Sequence, residues 1–152
     1  MTPSATIRAK LLSSRLASDE NIVGCSEGEI LQFEAESHFQ LPIAYREFLI
    51  ACGHGAGEFM MGTDWMIPEL LGIQASARSL MQRNIPSLEL PDNAFVFAMH
   101  QGYQFLFLHC GTEKDPAVFH FLQSDTAPFE VSPTFTSWLQ GCVQDEVEAC
   151  EG

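Results

Sequence analysis

The stretch that decides the fold is GCSEGEILQFEAESHFQLPIAYREFLIACGHGAG, residues 24–57. Ser26 is a natural helix N-cap, and Glu29 three residues later completes the pattern of a capping box. The chain restarts at Leu41-Pro42, because proline fits the first turn of a helix, where a backbone N–H is not needed. The stretch therefore predicts two helices joined by a proline corner.

Each of these helices has one apolar side. Ile30 and Phe33 give the first helix its buried face, while Tyr45, Phe48 and Leu49 form the buried stripe of the second. Gly53 ends the second helix, as glycine commonly does. Glu34 lies on or beside the apolar face of the first helix. Since a buried carboxylate needs partners, we expect it to accept hydrogen bonds from the backbone of the glycine turn.

The helical pair resembles the SUKH superfamily, whose pattern is an acidic residue, Leu-Pro, an aromatic residue, Phe-Leu and a closing glycine. These positions are Glu34, Leu41, Pro42, Tyr45, Phe48, Leu49 and Gly53. Gly102 matches a further family glycine that precedes a strand. Cys52 departs from the pattern, because the family usually has asparagine there. The resemblance covers most of the chain and implies a helical pair that feeds a twisted antiparallel sheet.

The rest of the sequence predicts an α+β fold in a single domain, residues 1–152. Its central antiparallel β-sheet has about four to six strands, with N-terminal helices and a C-terminal helix packed on it. Helical periodicity appears near the N-terminus and again from 67 to 81. Apolar β-rich runs follow, nearly continuous enough for both sheet faces to be covered. The strands are expected at 59–61, 94–99, 103–109, 117–122 and 128–131. Ser132-Pro133 opens the last helix, and the acidic tail 144–152 is expected to fray.

Charge and cysteine content limit the classes of function. Twenty acidic residues against seven basic ones give a formal net charge of −13. Such a chain repels nucleic acid and anionic membranes and attracts basic proteins. No apolar run approaches the roughly 20 residues of a membrane span. The five cysteines form no CxxC pair, which favours a reducing cytoplasm over a disulfide scaffold or a zinc site.

Catalytic and metal-binding interpretations have candidate residues but no recognised signature. Cys52 and Cys110 are possible nucleophiles, and His54, His100, His109 and His120 are possible bases or ligands, with Asp64 as a possible orienting group. His100 and His109 could face each other across the turn between them. None of these residues has a standard nucleophile motif or ligand spacing. The sequence therefore predicts no catalytic residue, no cofactor and no metal, and it favours a binding protein over a small His/Cys hydrolase or metalloprotein.

The resemblance implies the function. SUKH members are understood as immunity proteins that bind and neutralise a cognate toxin, often a nuclease, and the superfamily also includes regulatory scaffold modules, which stay open as the alternative. An immunity role implies a basic protein partner, a toxin domain, whose substrate cleft an acidic surface covers. Trp65 and Tyr103 are expected to be partly exposed. The candidate contact residues are Glu58, Asp64, Trp65, Asp92, Tyr103, Glu113 and Asp115. The oligomeric state stays undetermined at this level.

Overall fold

The computed structural model describes the backbone of residues 2–151 and the side chains of residues 2–149. It confirms the α+β prediction, with a C-terminal helix and a central antiparallel sheet. Within the described chain the helices are α1 (Pro3–Ser13), α2 (Glu27–Ser37), α3 (Ile43–Cys52), α4 (Ile67–Asn84) and α5 (Phe135–Glu151). The strands are β1 (Ile22–Val23), β2 (Gly55–Ala56), β3 (Thr63–Asp64), β4 (Ala94–His100), β5 (Gln104–His109), β6 (Val118–Leu122) and β7 (Phe129–Ser132).

The main sheet has the strand order β3-β4-β5-β6-β7, and every neighbouring pair is antiparallel. Strands β3 and β7 are its two edges, while β1 and β2 form a separate two-stranded ribbon. The β4–β5 turn has Gln101 at φ 50° and Gly102 at φ 78°. Positive φ at both central positions is the tight hairpin turn that matches strand twist. The turn predicted at Gln101-Gly102 is therefore confirmed.

Strand β4 is covered on both faces of the sheet, because its successive side chains point to alternate faces and residues 94–99 are all buried. On one face, the Phe97 ring of β4 lies 5.5 Å from Phe135 and 5.0 Å from Trp138, both on α5. Beside β4, in the plane of the sheet, the Gln74 side chain of α4 bonds the backbone N–H and C=O of Val96. All of β4 except His100 is buried. The expectation from its continuous apolar sequence is thus confirmed, because a strand covered on both sides has no solvent-facing position.

The predicted helical pair forms with its capping box intact. Ser26 accepts from the Glu29 N–H, and the Glu29 carboxylate accepts from the Ser26 N–H. Pro42 is the N-cap of α3, one position before the predicted first turn. The prediction for Glu34 was wrong in its partner, because its carboxylate accepts from the Leu41 N–H at 2.8 Å. It therefore fixes the corner between the helices instead of the glycine turn.

Gly53 ends α3 as predicted, but for a different reason from the usual one. Its φ of −60° is open to any residue. A Cβ at this position would stand 2.3 Å from Cys25 Sγ and 2.8 Å from the Leu49 carbonyl oxygen. The glycine is required because another segment passes directly against it. Cys52, the departure from the family pattern, is fully buried and remains inside the helix.

Three local predictions were wrong. Trp65 is 2% exposed, with its ring 5.3 Å from Phe48 and 5.9 Å from Phe59, because the glycine-rich loop folds inward over the core. Residues 59–61 form turns instead of a strand, with short strands on either side. The tail predicted to fray is helical over 144–151, since α5 continues to Glu151. Gly152 lies outside the described residues.

Candidate protein-binding surface

The seven contact residues predicted from the sequence do not form one surface. Asp92 and Glu113 lie in loops at the sheet end where Ala94 pairs with His109, whereas Tyr103 lies in the turn at the opposite end. Asp115 is in the same loop as Glu113, and its carboxylate accepts from the Thr136 N–H at the start of α5. Helix capping thus uses part of its acceptor capacity. Tyr103 is partly exposed, as expected.

The other three predicted contacts are separated from these loops. Glu58 lines a hollow with Asp19 beside the end of α1. Asp64 is exposed on edge strand β3, and burial, followed by the nearby Asp64 carboxylate, raises the pKa of the neighbouring Glu69. Trp65 lies in the core and presents no surface to a partner.

The fold concentrates negative charge elsewhere, in its C-terminal part. Neither lysine nor arginine follows Lys114 in the sequence, whereas seven acidic residues do. This segment builds β6, β7 and α5; β7 pairs with β6, and α5 packs against β7. The uneven distribution of charge along the chain therefore becomes a concentration of negative charge at one edge of the sheet and on the helix beside it. We call its exposed part the C-terminal acidic surface, defined by Phe129, Glu130, Val131, Asp145 and Glu148.

Apolar side chains accompany these charges on the edge strand. Phe129 is 49% and Val131 is 43% exposed, and Glu130 between them is also exposed. Strand β7 forms the outer edge of the main sheet, so the backbone side away from β6 has no strand beside it within the described chain. Exposed aromatic and branched residues on an open edge are a typical feature of protein-binding strands.

A groove runs from this edge between α5 and the sheet. Two adjoining hollows of about 410 and 380 Å³ share Leu106, Trp138, Cys142 and Glu146 as lining residues. The last three are spaced i, i+4, i+8, so α5 presents them as one row along the groove. Val131 and Asp145 line its β7 end. The groove thereby connects the C-terminal acidic surface to the interior side of α5.

Glu146 is the central charged group of this groove. Its carboxylate accepts from the Met60 N–H at 2.7 Å and from the Cys142 thiol at 3.7 Å. Burial raises the pKa of Glu146, while the Met60 bond acts in the opposite direction. Within the described part of the chain, no lysine or arginine nitrogen lies within 4.0 Å of it. Its charge is therefore available to a cation that enters the groove.

The histidines are used in separate local contacts. His100 Nδ1 lies 3.0 Å from Thr63 Oγ1, and His120 Nε2 lies 2.8 Å from Gln104 Oε1. His54 pairs with Glu29 of the capping box. His100 and His109 lie at opposite ends of the β4–β5 pair. Over the residues described, no three His, Cys, Asp or Glu side chains are grouped in a way that could hold a metal ion.

The cysteines lie in surroundings that oppose thiolate formation. Burial raises the pKa of Cys25, Cys110 and Cys142 to about 12 each, and it also raises that of Cys52. A nucleophilic cysteine needs the reverse shift, produced by a nearby cation or helix N-terminus. Cys52, a possible nucleophile by sequence, is fully buried in the core, while Cys110 is only partly buried.

The comparison with known protein families identifies the relationship of this chain. Residues 24–141 match the model of the SMI1 / KNR4 family (SUKH-1), which is well over half of the sequence. The chain belongs to the SMI1/KNR4 family. The resemblance inferred from the helical pair is thus confirmed. Family members have toxin-immunity and regulatory roles and are generally non-catalytic binding proteins. No curated protein matches the sequence.

Three further properties of this SMI1/KNR4 member concern its helices, its location and its charged surface. Among residues 2–151, no helix combines the length and the hydropathy needed to cross a bilayer. The cytoplasmic location stays a prediction. Sequence reasoning missed the C-terminal acidic surface because it selected acidic residues by their position in loops. The signal was present in the sequence as the absence of any basic residue after Lys114.

Proposed function

We propose that this protein is an immunity protein that binds a basic toxin domain, such as a nuclease, and blocks it with the C-terminal acidic surface. The observation that carries the proposal concerns the chain segment after Lys114, which contains acidic residues but no lysine or arginine. The fold places this segment at one edge of the sheet and on one helix. Membership of a family with toxin-immunity roles supports the class of function. The proposal places the partner contact at this sheet edge and on α5 instead of in the loops predicted from the sequence.

Electrostatics supports a basic partner. A domain that acts on nucleic acid needs a cationic cleft to hold phosphates. Glu130, Asp145 and Glu148 are exposed, and the net charge of −13 adds a long-range attraction for such a cleft. Complementary fields of this kind accelerate association by about 10–10³-fold at low ionic strength. Rapid capture is what a cell needs when a toxin is already at work.

The apolar residues on β7 can supply the desolvated contact that tight binding needs in addition to charge. Exposed ion pairs contribute only about 0–1 kcal/mol each, so tight binding needs a desolvated centre. Phe129 and Val131 offer that centre, while Glu130 pairs with Phe119 and Phe129 with His120, so the Glu130 carboxylate lies on the other face of the edge strand from Phe129. Glu146 in the adjoining groove is placed to receive a lysine or arginine side chain, because its carboxylate lacks a cationic partner in the described structure.

The chemistry of the site favours binding over catalysis. The four described cysteines have raised pKa values, and His54 is engaged with a capping-box carboxylate. A nucleophile and a base need to share a hydrogen bond, and among the described residues no histidine bonds a cysteine. These features support a non-catalytic role for this chain.

The experiment is a binding and protection assay with a basic toxin domain chosen from the products of the genes next to this one. The double variant Glu130→Lys/Asp145→Lys changes the acidic surface, and Glu20→Lys/Glu89→Lys makes the same charge change on residues elsewhere. We expect the first variant to lower the association rate at least about tenfold at low salt. We also expect it to abolish protection of cells, while the second keeps both within about threefold.

Two results would overturn the proposal. Equal losses in the two double variants would show that net charge matters and the surface does not. An association rate that stays flat from low to physiological ionic strength would remove the electrostatic basis, since screening must weaken it. Failure of the wild-type chain to bind the neighbouring toxin would favour the regulatory alternative.

A further inference from the structure

A second groove lies on the opposite side of α5, bounded by α1, α3 and α5. Its volume is about 420 Å³, within the range of small-ligand pockets. The lining positions on α1 and α5 are spaced three and four apart, so each helix turns one face to the cavity. Phe135, Leu139 and Val143 are buried at its base, while Ile43 on the rim is 53% exposed.

Two of the seven basic residues of this acidic chain line the same groove. They are Lys10 on α1 and Lys114 in the β5–β6 loop. The Lys114 carbonyl accepts from the Ala44 N–H of α3, which holds the loop against the groove. Among the described side chains, no carboxylate oxygen lies within 4.0 Å of either ammonium group. Both cations are therefore available to a ligand.

The two acidic residues of the groove are already engaged by backbone donors. Glu47 accepts from the Ser4 N–H at 3.0 Å, and Asp115 accepts from the Thr136 N–H at 2.9 Å. These hydrogen bonds use part of the acceptor capacity of the two carboxylates and fix their positions. They leave the charges of the two lysines unpaired among the described residues. A single negative charge can lie at the two lysines alone, whereas a ligand with several negative charges would also bring some of them close to Glu47 and Asp115, which would repel them.

We propose that this groove binds a free aliphatic carboxylate, with its chain on the apolar base and its single negative charge at Lys10 and Lys114. The volume of about 420 Å³ and the walls on three helices favour a small molecule over a protein segment. Charge complementarity selects the head group, because the remaining surface of a −13 chain repels anions. This inference concerns a different groove from the toxin-binding proposal and does not rest on it.

The test uses isothermal titration of the full chain with sodium decanoate and, in parallel, with decanol as the neutral match. We expect saturable one-to-one decanoate binding that Lys10→Gln/Lys114→Gln weakens about tenfold, at about threefold for each exposed ion pair. Decanol affinity should be equal in the variant and the parent. Arg15→Gln/Arg83→Gln removes two exposed cations outside the groove and should leave decanoate binding unchanged.

A second pair of measurements tests where decanoate binds on the protein, independently of the lysine substitutions. Thr6 is exposed and lines the groove, so Thr6→Trp fills it without disturbing the core and should abolish binding of both ligands. Methyl NMR shifts on decanoate addition should be confined to Ile7, Ile43, Leu139 and Val143. Unsaturable binding, full binding by Thr6→Trp, or equal weakening in the two double variants would each overturn the inference.

Discussion

Replacing Gly53 by alanine should destabilise the protein, although local propensity predicts the reverse. Gly53 has φ −60° and ψ −17° at the end of α3, a conformation that alanine adopts freely. Alanine is more favourable than glycine by about 1 kcal/mol in a helix. An argument confined to the helix would therefore expect Gly53→Ala to raise the free energy of unfolding.

The structure reverses that sign through steric contacts that helix propensity does not include. The new Cβ would stand 2.3 Å from Cys25 Sγ, 2.8 Å from the Leu49 carbonyl oxygen and 3.1 Å from Leu49 Cδ2. Cys25 and Leu49 are both buried, so neither can move into solvent. Overpacking of this kind costs about 1–3 kcal/mol. With two contacts below 3.0 Å, the upper end applies, and the net loss after the propensity gain is about 2 kcal/mol.

The assay is urea denaturation with a matched glycine as control. Gly72 lies exposed within α4, and a Cβ added there would meet no neighbouring atom within 4 Å. Gly72→Ala should therefore stabilise the protein by about 1 kcal/mol. The two substitutions are chemically identical and should shift the midpoint in opposite directions. For a chain of this length, each kcal/mol corresponds to about 2–4 °C in Tm.

A second background separates the two clashes. In Cys25→Ala the sulfur is absent, so the added cost of Gly53→Ala should fall, leaving the contact with the Leu49 carbonyl. The coupling energy between positions 25 and 53 measures the sulfur contribution directly. The reasoning is refuted if Gly53→Ala is as stable as the parent, or if its cost is the same in both backgrounds.

Three further predictions concern the helix cap and two carboxylates. Ser26→Ala removes the acceptor for the Glu29 N–H and should cost about 1 kcal/mol in urea denaturation, and a neutral result would show that the cap is not formed. The Ser26 backbone N–H, and then His54, lower the pKa of Glu29, so its stabilisation is present above the unfolded-state pKa and is lost as pH falls through the folded-state value. Glu29→Gln should flatten the acid limb of Tm against pH, and an unchanged limb would contradict this. Burial raises the pKa of Glu146, so ionising it costs stability as pH rises through the folded-state value. Glu146→Gln keeps an acceptor for the Met60 N–H and should raise Tm at neutral pH, with no gain below the unfolded-state pKa; a lower neutral Tm would show that the charge stabilises the fold.

Local sequence patterns were sufficient for the elements whose causes are local. The capping box of α2, the buried stripe of α3 and the turn at Gln101-Gly102 depend on residues within a few positions of one another. Pattern reasoning failed at Trp65 and at the partner of Glu34, because both are decided by segments that fold back over them. Loop position was a poor guide to exposure in this glycine-rich region.

The sequence by itself determined the family, the α+β class, the acidity of the chain and the position of its last basic residue, Lys114. Only the tertiary structure decided which charges share a surface, because strand order and helix packing bring β6, β7 and α5 together at one edge. It also decided why Gly53 is a glycine and where the lysines Lys10 and Lys114 meet. Contacts between segments distant in sequence leave no periodic pattern along the chain. They can therefore be identified only from the packed structure.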